Sequence, residues 1–353
     1  MKSGLGEQLG KLDGPIMITG HTGFKGVWLT LLLEKLGIQV VGLSLPPIKD
    51  SLFGRLQREG SINESLVDIR DYESVNRFIK QTNPAAVINM AAQPLVMESY
   101  KTPRETFETN VIGTVNVLDA CFKSNSVKAV IAVTTDKVYK NENAGKAFKE
   151  NDPLSGKDPY SASKVGTESA IAAWQQIQRI HGGPKVTSVR AGNVIGGGDW
   201  AADRLLPDLI RGFLSEKPIP IRNPDSTRPW QHVLDPLVGY LMALESVLKG
   251  SEFDAMNFGP SEKSISVKEV VELCALTWDS TGSIKFIYET NQSGAEAINL
   301  DLDSSFAKTK LGWSPKWSQI EAAVSTTNWW KKVTLGENSP EEACLLDIET
   351  VLK

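Results

Sequence analysis

Cysteine and histidine are scarce in this chain of 353 residues, which carries three of each. Cys121, Cys274 and Cys344 are odd in number and far apart. That excludes a disulfide framework and leaves no CxxC pair for a metal. His21, His181 and His232 are equally scattered, so no metal site is expected. Long apolar runs are missing too: none approaches the ~20 residues that span a bilayer. The opening segment MKSGLGEQLGKLDG has no apolar stretch of the kind a signal peptide needs. A cytoplasmic protein with no membrane partner is the expectation. Nor does charge of one sign dominate: 38 Lys and Arg face 42 Asp and Glu, a net −4. Such a chain has no global field to draw nucleic acid, and an anionic ligand has to be held by a local cluster of donors.

What is present is a chain 41% hydrophobic and 23% charged, ordinary for a folded domain. At about 150 residues per domain, its length suggests two domains, or one α/β domain with an added lobe. Short apolar, partly β-branched runs at Pro15–Thr19, Ile38–Leu45, Ser65–Asp71 (a strand with its turn), Ala85–Ala92, Val127–Thr135 and Val186–Val194 read as strands. Between them, VWLTLLLEKLG, YESVNRFIKQT, Thr102–Lys123 and SASKVGTESAIAAWQQIQRIH read as helices. Strands that are apolar throughout and alternate with helices imply an α/β fold: a Rossmann-like, doubly wound parallel sheet covered on both faces. Beyond about Gly196 the rhythm breaks, and PIPIRN and FDAMNFG read as isolated strands of a smaller C-terminal α/β substrate lobe. The expected division is 1–190 for the sheet and 191–353 mainly for the lobe, with some later segments returning to the sheet. The tail ENSPEEACLLDIETVLK reads as a peripheral helix or a partly ordered end.

Gly20, Gly23 and Gly26 stand as GxxGxxG between the first strand and the first helix. In that place Gly20 allows a tight exit from the strand. Gly23 lets the backbone approach a pyrophosphate, and Gly26 lets helix and strand pack closely. The phosphates of a dinucleotide would sit on the free N–H groups at the helix start. A P-loop is excluded, because Lys25 precedes Gly26 instead of following the last glycine. The second strand ends in Gly42-Leu43-Ser44-Leu45, with neither an acid for the adenosine ribose nor an arginine for a 2′-phosphate. NAD is favoured over NADP on that basis. Asp68 and Ile69, after the third strand, can contact the adenine; Asp68 serves equally well as a turn residue.

Tyr160 and Lys164 lie four apart at the start of the long helix, on one face. A tyrosine of pKa ~10 is a poor base at neutral pH. An adjacent ammonium lowers that value and makes the phenolate accessible. Thr135, at the tip of the fifth strand, completes a triad by holding the hydroxyl that Tyr160 deprotonates.

With these residues in place, the chain resembles the extended short-chain dehydrogenase/reductase family from about Pro15 to about Trp330. GHTGFKG, the NMAA strand end, Asn110, Thr135, YSASK and LGWSP fall in the family's order. Within the family the likeness is strongest to the CDP-glucose 4,6-dehydratase branch. It is carried by TGHTGFKGVWL, AAQPLV, TTDKVY, RAGNVIGGGDWAADRLLPDL and IRNPDSTRPWQHV. The resemblance implies an NAD cofactor held by Gly20, Thr22, Gly23, Phe24, Gly26, Asp68, Ile69, Ala91, Ala92, Asn110, Tyr160 and Lys164. It implies a CDP-glucose substrate touched by Gln93, Asn193, Arg204, Arg222 and Arg228. The reaction it implies oxidises C4, loses water across C5 and C6, and returns the hydride to C6. Asp136 is then the acid toward O6 and Lys137 the C5 base, with Lys137 standing where the dTDP-glucose branch carries Glu. A lysine of ordinary pKa ~10.4 is mostly protonated near neutrality, so it must be desolvated to serve as a base; otherwise it only stabilises the enolate. Asn110 is part of the proton network or a brace near Lys164. Trp200 and Trp230 either flank a base or sugar or fill the core. His232 reads as structural, and GGGDWAADR as a loop that orders over substrate. A 4-epimerase would not need Asp136 and Lys137, and a non-catalytic dinucleotide scaffold would not need Thr135, Tyr160 and Lys164. Thr102–Lys123 and Ser161–His181 are apolar enough to pair two copies, so a homodimer or homotetramer is expected.

Overall fold

The computed structural model describes residues 4–142, 145–215, 218–279, 281, 284–289 and 300–353. Strand β1 (Ile16–Thr19) leads through the glycine turn into α1 (Phe24–Lys35), then β2 (Val40–Ser44) and β3 (Asn63–Leu66). Helix α2 (Tyr72–Thr82), β4 (Ala86–Asn89), α3 (Gly113–Phe122), β5 (Ala129–Val133), α4 (Pro159–His181) and β6 (Lys185–Ala191) continue the alternation. Helix α5 (Leu234–Leu248) crosses to β7 (Ala255–Phe258). The seven strands form one sheet in the order β3-β2-β1-β4-β5-β6-β7, every neighbouring pair parallel. The order reverses between β1 and β4, and ligands of such sheets bind at the carboxyl ends of the strands beside that reversal. Register sets Thr19 beside Leu43 and Asn89, so these strand tips share one edge.

One face of the sheet is covered by Val75 and Ile79 of α2, Val117 and Leu118 of α3 and Ile171 of α4. The other face carries α1, α5, α6 (Gln319–Thr334) and α7 (Pro340–Leu352) in one continuous core that includes Trp28, Leu32, Leu237, Trp329 and Ile348. Lys35 of α1 also bonds Glu349 of α7 at 3.0 Å. Helix ends follow local chemistry. Asp158 caps α4 in a reciprocal box with Ser161, and Pro159 takes its first turn. Ser318 and Ser339 cap α6 and α7 in the same way.

Four segments differ from the sequence reading. The third strand starts two residues earlier than expected and spans Asn63–Leu66; the expected turn follows over Asp68–Asp71, where Asp68 binds Arg70 and Asp71 caps α2. The helix expected over Thr102–Lys123 starts at Pro103 and opens into a wide π-helical turn at Glu108–Ile112 before α3. FDAMNFG is not isolated: Ala255–Phe258 pairs with Ser188–Ala191 and makes β7, an edge of the main sheet. In GGGDWAADR, the glycines have packing reasons. A Cβ on Gly197 would lie 2.0 Å from Trp329, one on Gly196 2.7 Å from Val233, and one on Gly198, at φ +79°, 2.5 Å from Leu52. The tail is helical through Leu352.

Candidate active site

Gly20 leaves β1 at φ +76°, its N–H on Leu43 O at 2.8 Å. A Cβ on Gly26 would strike Gly20 O at 2.1 Å, so helix and strand meet only through glycine. Gly23 is the N-cap of α1, without a side-chain cap, and the first turn holds no acid. The first N–H groups of a helix have no partner within it, and this end presents them bare of competing carboxylates. The turn therefore fits a dinucleotide's pyrophosphate. At the end of β2, where an acid is missing, Thr22 Oγ1 bonds Ser44 Oγ at 2.8 Å and donates to Leu45 O at 3.0 Å. His21 is buried beneath Gly42 and pairs with Glu64 at 2.6 Å. Burial of Asp68 is outweighed by Arg70, which holds its carboxyl below the usual range. Ile69 is buried against Gly113. Ala91 N–H is fixed by Thr19 Oγ1 at 3.1 Å, its backbone pressed on Gly20.

Beside the turn opens a cleft of about 850 Å³. It brings together Phe24, Ala92, Thr135, Asp136, Lys137, Tyr160, Lys164, Asn193, Arg204, Arg222 and Arg228, all expected site residues. Its walls do not include Gly20, Thr22, Gly23, Gly26, Asp68, Ile69, Ala91, Gln93 or Asn110. Gln93, expected at the substrate, uses its amide within its own loop. Nε2 donates to Leu95 O and Thr106 Oγ1, and Oε1 accepts from Leu95 N–H, so the side chain folds its own loop. Asn110, in the wide turn, accepts from Gln93 N–H at 2.8 Å and donates to Ser163 Oγ at 2.8 Å. It is a brace between that loop and α4, one residue before Lys164.

Thr135 donates to Asp136 Oδ1 at 3.0 Å, and Thr135 and Tyr160 both line the cleft. Burial pushes the Tyr160 phenol up to about 12; Thr135 opposes the shift and the Asp136 charge adds to it. Lys164, expected to lower it, is not among the influences on the phenol in this structure; its ammonium donates to Val133 O at 3.1 Å. Burial instead lowers Lys164 itself to about 8, against Glu168. Asp136 is 2% exposed, with Oδ2 unbonded and pressed against Gly192, where a Cβ would come within 2.5 Å. Burial raises its carboxyl to about 6, although Lys137, Thr135 and Arg228 favour the charged form. A carboxyl in that range donates and accepts a proton near neutrality. Lys137 lines the cleft half-buried.

Arg204 is held by Asp199 at 3.0 Å and Arg222 by Asp203 at 3.3 Å, whereas buried Arg228 donates to Thr227 O at 2.8 Å. Asn193 accepts from Gln231 N–H through its carbonyl at 3.1 Å. Trp230 lines the cleft, but Trp200 packs on Trp330 at 4.9 Å under the Arg55 and Arg211 cations. His232 is fully buried against Trp317, as a structural residue would be. Behind the cleft Glu168 accepts from Thr134, Ser188 and both arms of Arg190.

Sequence reasoning missed one functional candidate, Lys25. Its Nζ donates to Tyr240 Oη of α5 at 2.7 Å and it lines the same cleft. The available signal was a lone cation in the first turn of an otherwise apolar helix, FKGVWLTLLL, where the helix dipole disfavours it.

Residues 16–259 match the NAD dependent epimerase/dehydratase family, and the chain belongs to it. It is 40% identical over 332 residues to the CDP-glucose 4,6-dehydratase of Salmonella typhimurium (strain LT2), with 92% of each chain covered. It is 27% identical to a dTDP-glucose 4,6-dehydratase of Xanthomonas campestris pv. campestris, over 89% of this chain and 92% of that one. Among solved structures, the UDP-glucose 4-epimerase of Thermotoga maritima superposes with a TM-score of 0.79 at 23% identity, covering 91% of this chain and 99% of that chain. The dTDP-glucose 4,6-dehydratase of Bacillus anthracis, solved in complex with NAD, gives 0.76 at 23% identity, covering 90% and 97%. The last two share the fold.

Proposed function

We propose that the chain is an NAD-dependent hydro-lyase that converts CDP-D-glucose to CDP-4-keto-6-deoxy-D-glucose and water. The observation that carries this reading is one cleft lined by Thr135, Asp136, Lys137, Tyr160 and Lys164, in a chain 40% identical to a CDP-glucose 4,6-dehydratase. Bound NAD supplies the hydride acceptor for C4 and the donor that later restores hydride at C6. Tyr160 takes the proton of O4 while Thr135 holds that oxygen. The Lys164 charge, in the same cleft as Tyr160, favours the phenolate when substrate is in place. The new 4-ketone acidifies the C5 proton, which Lys137 removes and gives back to C5 when the hydride is returned to C6. Asp136, raised to about 6 and so still partly protonated near neutrality, gives its proton to O6 as that oxygen leaves as water. Burial against Gly192 keeps Asp136 in the range where this is efficient.

Gly20, Gly23 and Gly26 hold the NAD pyrophosphate, with Thr22, Phe24, Ala91 and Ala92 along its path and Asp68 and Ile69 at the adenine. Residues 1–190 serve mainly the dinucleotide and 191–353 mainly the nucleotide sugar. Arg204, Arg222 and Arg228 meet the sugar nucleotide's diphosphate, and Asn193 joins them at the end of β6. Exposed Phe107, Ile112 and Ile180 on neighbouring helices support pairing of two copies. No helix among the described residues is long and apolar enough to cross a membrane, which fits a cytoplasmic site of action.

A 4-epimerase has no use for Asp136 and Lys137, so the dehydratase reading is preferred. Incubation with CDP-glucose, dTDP-glucose and GDP-mannose separates the substrates, read by the 4-keto chromophore in alkali. Activity on CDP-glucose with label moving from C4 to C6 is the expected result. Turnover only with another nucleotide overturns the substrate, and inversion at C4 without water loss overturns the reaction class.

A further inference from the structure

We propose that Lys25, anchored on Tyr240, sets the charge felt by the nicotinamide, disfavouring the oxidised dinucleotide with its cationic ring relative to the reduced one with its uncharged ring. The proposal rests on the reading that this chain holds NAD.

Lys25 lies two residues past the N-cap glycine of α1, and its side chain runs into the cleft instead of out to solvent. Its ammonium donates to Tyr240 Oη at 2.7 Å and stands 4.7 Å from the centre of that ring. Tyr240 is itself fully buried on α5, the helix packed beside α1 on the same face of the sheet, so the tether comes from behind the cleft wall. The charged and titratable groups that face Lys25 are Lys164, Arg204 and Asp136, with the Tyr240 hydroxyl as its partner. Burial, followed by repulsion from Lys164 and Arg204, lowers the ammonium to about 7, while Asp136 opposes the shift. No substrate proton carrier is missing from the mechanism above, so Lys25 has no assigned step.

A dinucleotide whose phosphates rest on the glycine turn and whose ring reaches Tyr160 has to pass Lys25. Its oxidised ring carries a positive charge and its reduced ring carries none. A second cation beside Lys164 therefore weakens the oxidised form and spares the reduced one. The consequence suits an elimination that stores a hydride between two steps. Oxidation at C4 is favoured, and the reduced cofactor is retained until C6 is ready to receive the hydride.

The test is equilibrium titration of the full chain with NAD and with NADH separately, read by tryptophan fluorescence, at about pH 6 and about pH 9. The variants are Lys25→Met, Lys25→Arg and Tyr240→Phe. Lys25→Met is expected to lower the preference for NADH over NAD about tenfold at the lower pH, the scale of a charge pair inside a protein. Parent and variant converge at the higher pH, where the parental Lys25 is already neutral. Lys164 and Asp136 titrate in both proteins and cancel in the comparison. Lys25→Arg keeps the preference for NADH at both pH values, and Tyr240→Phe moves the pH at which it falls. Should Lys25→Met fail to fold, the other two variants carry the test alone. Equal NADH preference in parent and Lys25→Met at the lower pH overturns the proposal, as does a parental pH response in Lys25→Arg. If the parent binds neither nucleotide, the cofactor reading fails first and this proposal with it.

Discussion

Replacing Asp136 by Asn should cost the enzyme its dehydration step and at the same time stabilise its fold. Asp136 ionises at 3.8 when free and at about 6 in the folded chain, where burial is the largest cause of the rise. A raised carboxyl pKa means that folding opposes the charge. Below the unfolded pKa both states are protonated and the penalty is absent. As pH climbs from 3.8 to about 6, the unfolded chain ionises first and folding grows costlier; above about 6 the cost stays constant. At 1.36 kcal/mol per pKa unit, the plateau is about 3 kcal/mol. Asparagine has nearly the same shape and no charge, so it removes that penalty. Its amide beside Gly192 inherits the unbonded position of Oδ2, which returns about 1 kcal/mol or more of the gain. The net expectation is about 1–2 kcal/mol of stabilisation at about pH 8, lost below about pH 4. Entropy of unfolding near 2.1 cal/mol/K per residue converts this to roughly 1–3 °C in Tm for a chain of this length. Denaturant and thermal unfolding of apo parent and variant at several pH values measure it. The same variant should lose about 10²–10⁴-fold in water elimination. A variant less stable than the parent at about pH 8, or a difference that does not change with pH, refutes the reasoning.

Lys137→Ala should leave C4 oxidation measurable, seen as transient NADH absorbance with CDP-glucose, while slowing water loss about 10²–10⁴-fold; parental turnover would remove Lys137 from the reaction. Tyr160→Phe should stop both steps, since it removes the phenol that takes the O4 proton. Arg190→Met strands the Glu168 carboxylate at 7% exposure and should cost about 3–5 kcal/mol, part of which Arg190→Met/Glu168→Met recovers; equal unfolding midpoints for the two would count against a buried ion pair. Gly197→Ala drives a methyl into Trp329 and should destabilise by at least about 1–3 kcal/mol in denaturant melts, with the cleft residues unchanged.

Much of the architecture is legible in the residues because local and global signals agree. Asp71 as cap, an apolar face at Val75, Phe78 and Ile79 and a left-handed Asn83 end α2 where periodicity puts its limits. The glycine turn and the Tyr160–Lys164 pair are equally local, a strand tip or a helix turn each. What escapes is long-range. Whether FDAMNFG stands alone or pairs with β6 depends on the crossover through α5, which no short window contains. Gln93 reads as a ligand until Leu95 and Thr106 use its amide. Lys25 and Tyr240 are 215 residues apart in sequence and meet only once α1 and α5 have packed. The Tyr160–Lys164 spacing sets proximity without setting which acceptor the ammonium takes, and Val133 O is the nearer one. Burial, the largest influence on Tyr160, Lys164 and Asp136, is a property of the closed cleft.

The joining of α1 to α7 in one core has a consequence for how the molecule is made. The apolar helix VWLTLLL leaves the ribosome early, yet its cover includes Ile348 and Val351, and its Lys35 waits for Glu349. At about 5–20 residues per second, some 300 residues of further synthesis take roughly 15–60 s. For that interval the outer stripe of α1 is bare oil-like surface on a nascent chain, with the sheet beneath it still short of its last strand. Translation speed and chaperone supply thus enter the yield of this enzyme more than its final stability does. Damage to the last helix would surface as aggregation at the first one, on the far side of the sequence.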